Sequence, residues 1–109
     1  MTVQVESFDT QVVSALNNEY ALSSPTTAGS RILTVDATSL VSGDTLTLRV
    51  KEKVLSGGTV GLVKEVTLYG PVYEGIVKGL PFTSPYGCTY TLTQSTGTLR
   101  SIPWRIDLI

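Results

Sequence analysis

The side chains able to do chemistry are few and widely spaced. Nine acids (Glu6, Asp9, Glu19, Asp36, Asp44, Glu52, Glu65, Glu74 and Asp107) are spread along 109 residues. Two of them could meet in space as a glycosidase-type pair, but nothing in their order singles a pair out. There is no histidine, which removes Ser-His-Asp and Cys-His catalysis and the commonest metal ligand. With Cys88 as the one cysteine, no structural zinc site and no intrachain disulfide can form. Cys88 shares parity with Tyr90 and Leu92 and has no evident cationic neighbour, so it is expected to be a small, inert core residue. Ser56-Gly57-Gly58-Thr59 lacks the spacing and the lysine of a phosphate loop and reads as a turn. The chain is therefore read as non-enzymatic, with no metal and no cofactor.

Elements that would position a site are clearer than the site. Residues 45–69 (TLTLRVKEKVLSGGTVGLVKEVTLY) read as two strands folded back at Ser56-Gly57-Gly58. Leu46, Leu48 and Val50 take one face, and Thr45, Thr47, Arg49 and Lys51 the other, the period of a half-buried antiparallel strand. Glycine supplies the positive φ that such a turn needs. Val60, Leu62, Val66 and Leu68 keep one parity on the return strand, with Lys64 as the exception. A hairpin of this kind needs further strands to cover its apolar face.

Several segments can supply them. Residues 2–7 (TVQVES) alternate, with Val3 and Val5 on one side, as a short strand or an extended arm; residues 1–18 are taken as an N-terminal arm on a single β domain, 1–109. Residues 8–22 are read as a loop leading into a strand at 19–23. Residues 31–36 (RILTVD) form a strand with apolar residues on both faces. Residues 70–86 hold three prolines and three glycines, which argues against a long regular strand and leaves only a brief edge pairing at 72–77. Cys88, Tyr90 and Leu92 alternate with Thr89, Thr91 and Thr93. In the last strand Ile102, Trp104, Ile106 and Leu108 share a face, and Pro103 marks an edge or a bulge. About six or seven short strands with turns between them predict an all-β fold, a small antiparallel β-sandwich or partly open barrel.

Composition narrows the partners. Charged residues are 16% of the chain, below the roughly 25% usual for soluble domains. Threonine and serine fill the gap, as on an ordinary solvent-facing sheet or on a surface that lies against other subunits. Net charge is −1 with lysines and arginines scattered, so no basic stripe points to nucleic acid. No apolar run approaches a membrane span, and the N-terminus lacks the pattern of a secretory signal. Tyr69, Tyr73 and Tyr86, with Phe82, form either a plug at one end of the fold or a contact surface.

Three stretches carry a resemblance: RILTVDATSLVSGDTLTLRV, KVLSGGT and TGTLRSIPWRIDLI. Their order and spacing resemble a group of small virion structural proteins of tailed bacteriophages. In that group a strand ending in Val-Asp (Val35-Asp36) leads to a Gly-Asp turn (Gly43-Asp44) and a Leu-x-Leu-Arg strand (Leu46 to Arg49). The group closes on a Thr-Gly-Thr turn (Thr96-Gly97-Thr98) and a strand containing tryptophan (Trp104). The resemblance covers residues 31–59 and 87–109. It implies a protein on the virion's capsid surface, assembled in the bacterial cytoplasm, that decorates or cements the shell. The implied partners are the major capsid protein and further copies of itself, as a trimer. The contact residues expected on this basis are Val3, Val5 and Phe8 of the N-terminal arm, and Tyr69, Tyr73 and Tyr86. Alternatives are a neck or tail adaptor, and a carbohydrate-binding sandwich of a fibre stacking sugars on Tyr73, Tyr86 and Trp104.

Overall fold

The computed structural model describes residues 3–109. Among them eight strands form: β1 (Gln4–Val12), β2 (Glu19–Ser23), β3 (Gly29–Asp36), β4 (Thr45–Glu52), β5 (Gly61–Tyr69), β6 (Ile76–Ser84), β7 (Thr89–Thr96) and β8 (Ser101–Leu108). They pack as two antiparallel four-stranded sheets, β1-β8-β3-β6 (sheet A) and β2-β7-β4-β5 (sheet B). The fold is a β-sandwich, not a closed barrel. Only β4 and β5 are joined as a hairpin within one sheet; every other connection crosses between sheets. The connections at 24–28, 53–60 and 85–88 lie at the hairpin end, and those at 13–18, 37–44, 70–75 and 97–100 at the opposite end.

Alternation dictates the core. Leu33 and Val35 of β3, Leu46, Leu48 and Val50 of β4, Tyr90 and Leu92 of β7, and Ile102, Trp104 and Ile106 of β8 are buried between the sheets. Burying each such side chain stabilises the fold by about 1.5–3 kcal/mol before conformational entropy is charged against it. Cys88 is buried here too, and burial pushes its thiol up to about 11.

Three expectations are corrected. Residues 4–12 are not a free arm: they form β1, paired with β8 from Gln4↔Leu108 to Val12↔Ser101. (Residues 1–2 of that arm lie outside the described residues.) Residues 8–12 thus belong to a strand and not to a loop. Residues 76–84 form a full edge strand despite their glycines and Pro81, because the register against β3 shifts between Arg31 and Leu33. The irregularity holds Pro81 and buried Leu80, whose φ of 54° is strained for a non-glycine residue. Finally, β8 is an interior strand. Its ladder to β3 nevertheless stops at Val35↔Trp104, so Pro103 sits where the strand is paired on the β1 side alone, an edge-like position that tolerates proline.

Two polar clusters fix the ends. At the hairpin end Arg31, with no exposed surface, points into the core. Its guanidinium donates Nε to Glu6 Oε1 at 2.6 Å and one terminal N–H to Glu6 Oε2 at 2.9 Å, and also reaches the Thr27 carbonyl and hydroxyl. Glu6 can meet it because the β1–β8 register shifts between Val5 and Ser7, leaving Glu6 as the extra residue. At the opposite end Asp44 accepts from the N–H groups of Val41 and Thr98 and from Arg100 Nε at 2.8 Å. Burial alone would raise the Asp44 carboxyl; these donors outweigh it and hold the group below its ordinary value. Gly97 adopts φ +96°, and a Cβ there would clash with Asp44 Oδ1.

Glu6→Ala strands a buried guanidinium and is expected to lower unfolding free energy by about 3 kcal/mol. Pairing Arg31→Met with Glu6→Leu removes both charges and should cost less than either single change, as read by urea denaturation. The carboxyl of Glu19, bonded by Lys51 and then Thr91, is also lowered. Folded-state carboxyls depressed in this way stabilise the fold above their unfolded values, near pH 4, and lose that contribution as pH falls through the folded values. Urea midpoints should therefore drop on acidification below about pH 4, and Asp44→Asn should flatten that acid limb while lowering stability at neutral pH.

Candidate interaction surface

The two outer faces of the sandwich differ in kind. Sheet B presents Thr47, Thr91 and Thr93 beneath an ion-pair network. Arg49 Nε bonds Glu65 at 2.6 Å, Lys51 Nζ bonds Glu19 at 2.7 Å, and the Thr91 hydroxyl donates to Glu19 at 2.7 Å. The middle of this face is polar and internally satisfied, and its exposed apolar side chains, Tyr69 and Leu62, lie along the β5 edge.

Sheet A presents the reverse, because β1 is inverted. Opposite the core residues Ile106, Trp104 and Ile102, β1 places Ser7, Asp9 and Gln11. Its apolar residues therefore point outward: Val5, Phe8 and Val12 stand opposite Asp107, Arg105 and Ser101, with Phe8 76% exposed. Pro103 and Ile76 are exposed on the same face, and Ile32 is half-buried there. A concavity of about 250 Å³ opens where the β3–β8 ladder stops, lined by Thr34, Val35, Asp36, Ile76, Pro103, Trp104 and Arg105.

A second apolar region is the β4–β5 hairpin. Val60 and Leu62 do not join Val66 and Leu68 against the core, as their parity suggested. The register shifts between Val50 and Lys51, and the hairpin then outruns the sandwich. Val54 is 82% exposed and Leu55 69%, and Val60, Leu62 and Val63 are exposed beside them. Gly57 at φ +82° makes the turn. The result is a finger with five large apolar side chains and no core of its own. At its base a groove of about 330 Å³ runs between the finger and the loops at 24–28 and 85–88, lined among others by Lys51, Lys53, Val60 and Tyr86.

The six expected contact residues do not form one surface. Val3, Val5 and Phe8 are exposed on β1 or just before it. Tyr69, and Tyr73 at 95% exposure, lie at the end opposite the hairpin. Tyr86 lies at the hairpin end beside the finger. The sugar platform of Tyr73, Tyr86 and Trp104 is not assembled, since Trp104 is core and the tyrosines are at opposite ends. The inversion of β1 was open to reading, because Phe8 and Val12 fall on one parity and the polar Ser7, Asp9 and Gln11 on the other. Exposure of the finger was not, since KVLSGGTVGLV has the composition of a buried hairpin. Comparison of the chain with protein-family models, with curated proteins and with solved structures finds no match.

Proposed function

We propose that this protein is a non-enzymatic structural component of a tailed-phage virion, a capsid decoration or cement protein that seats its hairpin finger in the major capsid protein lattice. The observation that carries the reading is the finger itself. Val54 and Leu55 are largely exposed and Val60, Leu62 and Val63 are each at least two-fifths exposed, and exposed apolar side chains gathered on one element mark an interaction site. The resemblance in residues 31–59 and 87–109 supplies the virion context. On this reading the finger takes the part first given to an N-terminal arm, and Tyr86, which lines the groove at its base, is the expected tyrosine that supports it.

Binding of this kind needs no reaction. Each docked copy stabilises the assembled shell by mass action, because the ligand binds the lattice and not its dispersed subunits. A finger projecting from a rigid sandwich suits the task, since the sheets hold its base while the turn fits a groove. Val54 and Leu55 at the tip are the anchors, with the two-glycine turn setting their angle.

Purified protein is expected to bind expanded capsids that lack it and to raise their melting temperature. Val54→Asp with Leu55→Asp should leave folding stability within about 0.5 kcal/mol, as at other exposed positions, yet weaken capsid binding at least ~30-fold. Absence of any wild-type affinity for such capsids would sink the reading. A lattice-wide copy number per virion separates it from a neck or tail adaptor, which would be present in few copies.

A further inference from the structure

We infer that the outer face of sheet A docks a second copy of this chain as a two-fold dimer. The face carries both halves of a self-complementary contact. Phe8 is a knob, three-quarters exposed on an edge strand. The concavity bounded by Asp36, Ile76, Pro103, Trp104 and Arg105 is a notch of about 250 Å³. Phe8 stands opposite Arg105, and Arg105 opposite Thr34, so knob and notch are about two strand spacings apart, roughly 10 Å. A two-fold axis lying in the interface plane, perpendicular to the line from knob to notch at its midpoint, sets each Phe8 into the partner's notch, the reciprocal arrangement that an isologous interface requires.

Charge and size agree with that occupant. Arg105, beside the knob, remains partly exposed while Asp107 holds its Nε at 3.1 Å. Asp36 and Arg105 both line the notch, so docking brings each copy's Arg105 toward the partner's Asp36 and also toward the partner's Arg105, whose charge Asp107 of its own chain already pairs. Asp107, nearly buried on this face, is already covered by Arg105 and by Lys78 at 3.7 Å, and so presents no unpaired charge to an incoming apolar surface. The broad faces of the molecule span about 40 by 31 Å, enough to give up the roughly 800 Å² per partner of a standard interface. The opposite face, with its closed network of Arg49, Lys51, Glu19 and Glu65, has no such features. Because knob and notch lie on one face, the pairing is two-fold and replaces the trimer implied by the resemblance.

Light scattering and sedimentation equilibrium on the full chain, up to about 100 μM, test it at concentrations where a standard-size interface is populated. Wild-type protein should show twice the 11.6 kDa chain mass. Phe8→Asp and Ile76→Asp, one on the knob and one on the notch, should each raise the dimer dissociation constant at least ~30-fold. Circular dichroism should stay near wild type, as should urea midpoints at dilutions where the wild type is a single chain, since both positions are exposed. The finger variant should remain dimeric, which separates this contact from lattice binding. A single-chain mass throughout that range, a trimer, or a dimer indifferent to both substitutions overturns the inference.

Discussion

A guanidinium without solvent contact must find a carboxylate, and in this chain that need organises one side of the sandwich. Arg31 occupies a core position on β3, in parity with Leu33 and Val35. The charge is stable there only if fully paired, because desolvating an arginine costs several kcal/mol. Glu6 supplies a two-point pair, and Thr27 satisfies further donors. Both partners lie on segments that hydrophobic burial does not hold. β1 turns Ser7, Asp9 and Gln11 inward, so little apolar area ties it down. What fixes it is the ladder to β8 and this ion pair. The bulge at Glu6 is the geometric condition of the pair.

Once β1 is fixed in that orientation, its apolar residues have nowhere to go but outward. Val5, Phe8 and Val12 then extend a surface already partly apolar from Ile32, Ile76 and Pro103. Sheet B escapes this because its outer residues are threonines under paired charges. The low charge content of the chain thus has two sources. On one face threonine replaces charge and is satisfied within the sheet; on the other, apolar side chains replace it. Composition alone could not separate these, since it sums over faces.

Much of the fold was legible in the sequence because period-2 alternation is a local signal. Leu46 to Val50, Cys88 to Leu92 and Ile102 to Leu108 declare their buried faces without reference to any partner. The failures occurred where the outcome depends on a neighbour. Val60 and Leu62 carry the same signal as Val66 and Leu68, yet whether a sheet lies opposite is decided by how far β6 of the facing sheet reaches. Residues 76–84 violate strand propensity, yet pair because an edge strand tolerates Pro81 and an irregularity at Leu80. At Pro103 the sequence signal was right about the local chemistry and wrong about the strand's place in the sheet. The apolar finger and the outward face of β1 are legible only once the layers are known.

The two apolar regions differ in how they can bind, and the difference is mechanical. A sheet face is flat and held by ladders on its strands, so it presents a fixed pattern and suits a partner of matching shape. A two-stranded finger with a glycine turn is marginal by itself and adapts to a groove at modest cost. Ordering it on a partner consumes entropy, so its affinity per unit area is lower. On the proposed dimer, repeated docking would offset that loss, because two fingers on one body would engage a repeating partner at an effective concentration set by their separation. A weak finger and a stable face would then be complementary, since strong binding would need the face only to hold the two fingers at a fixed spacing.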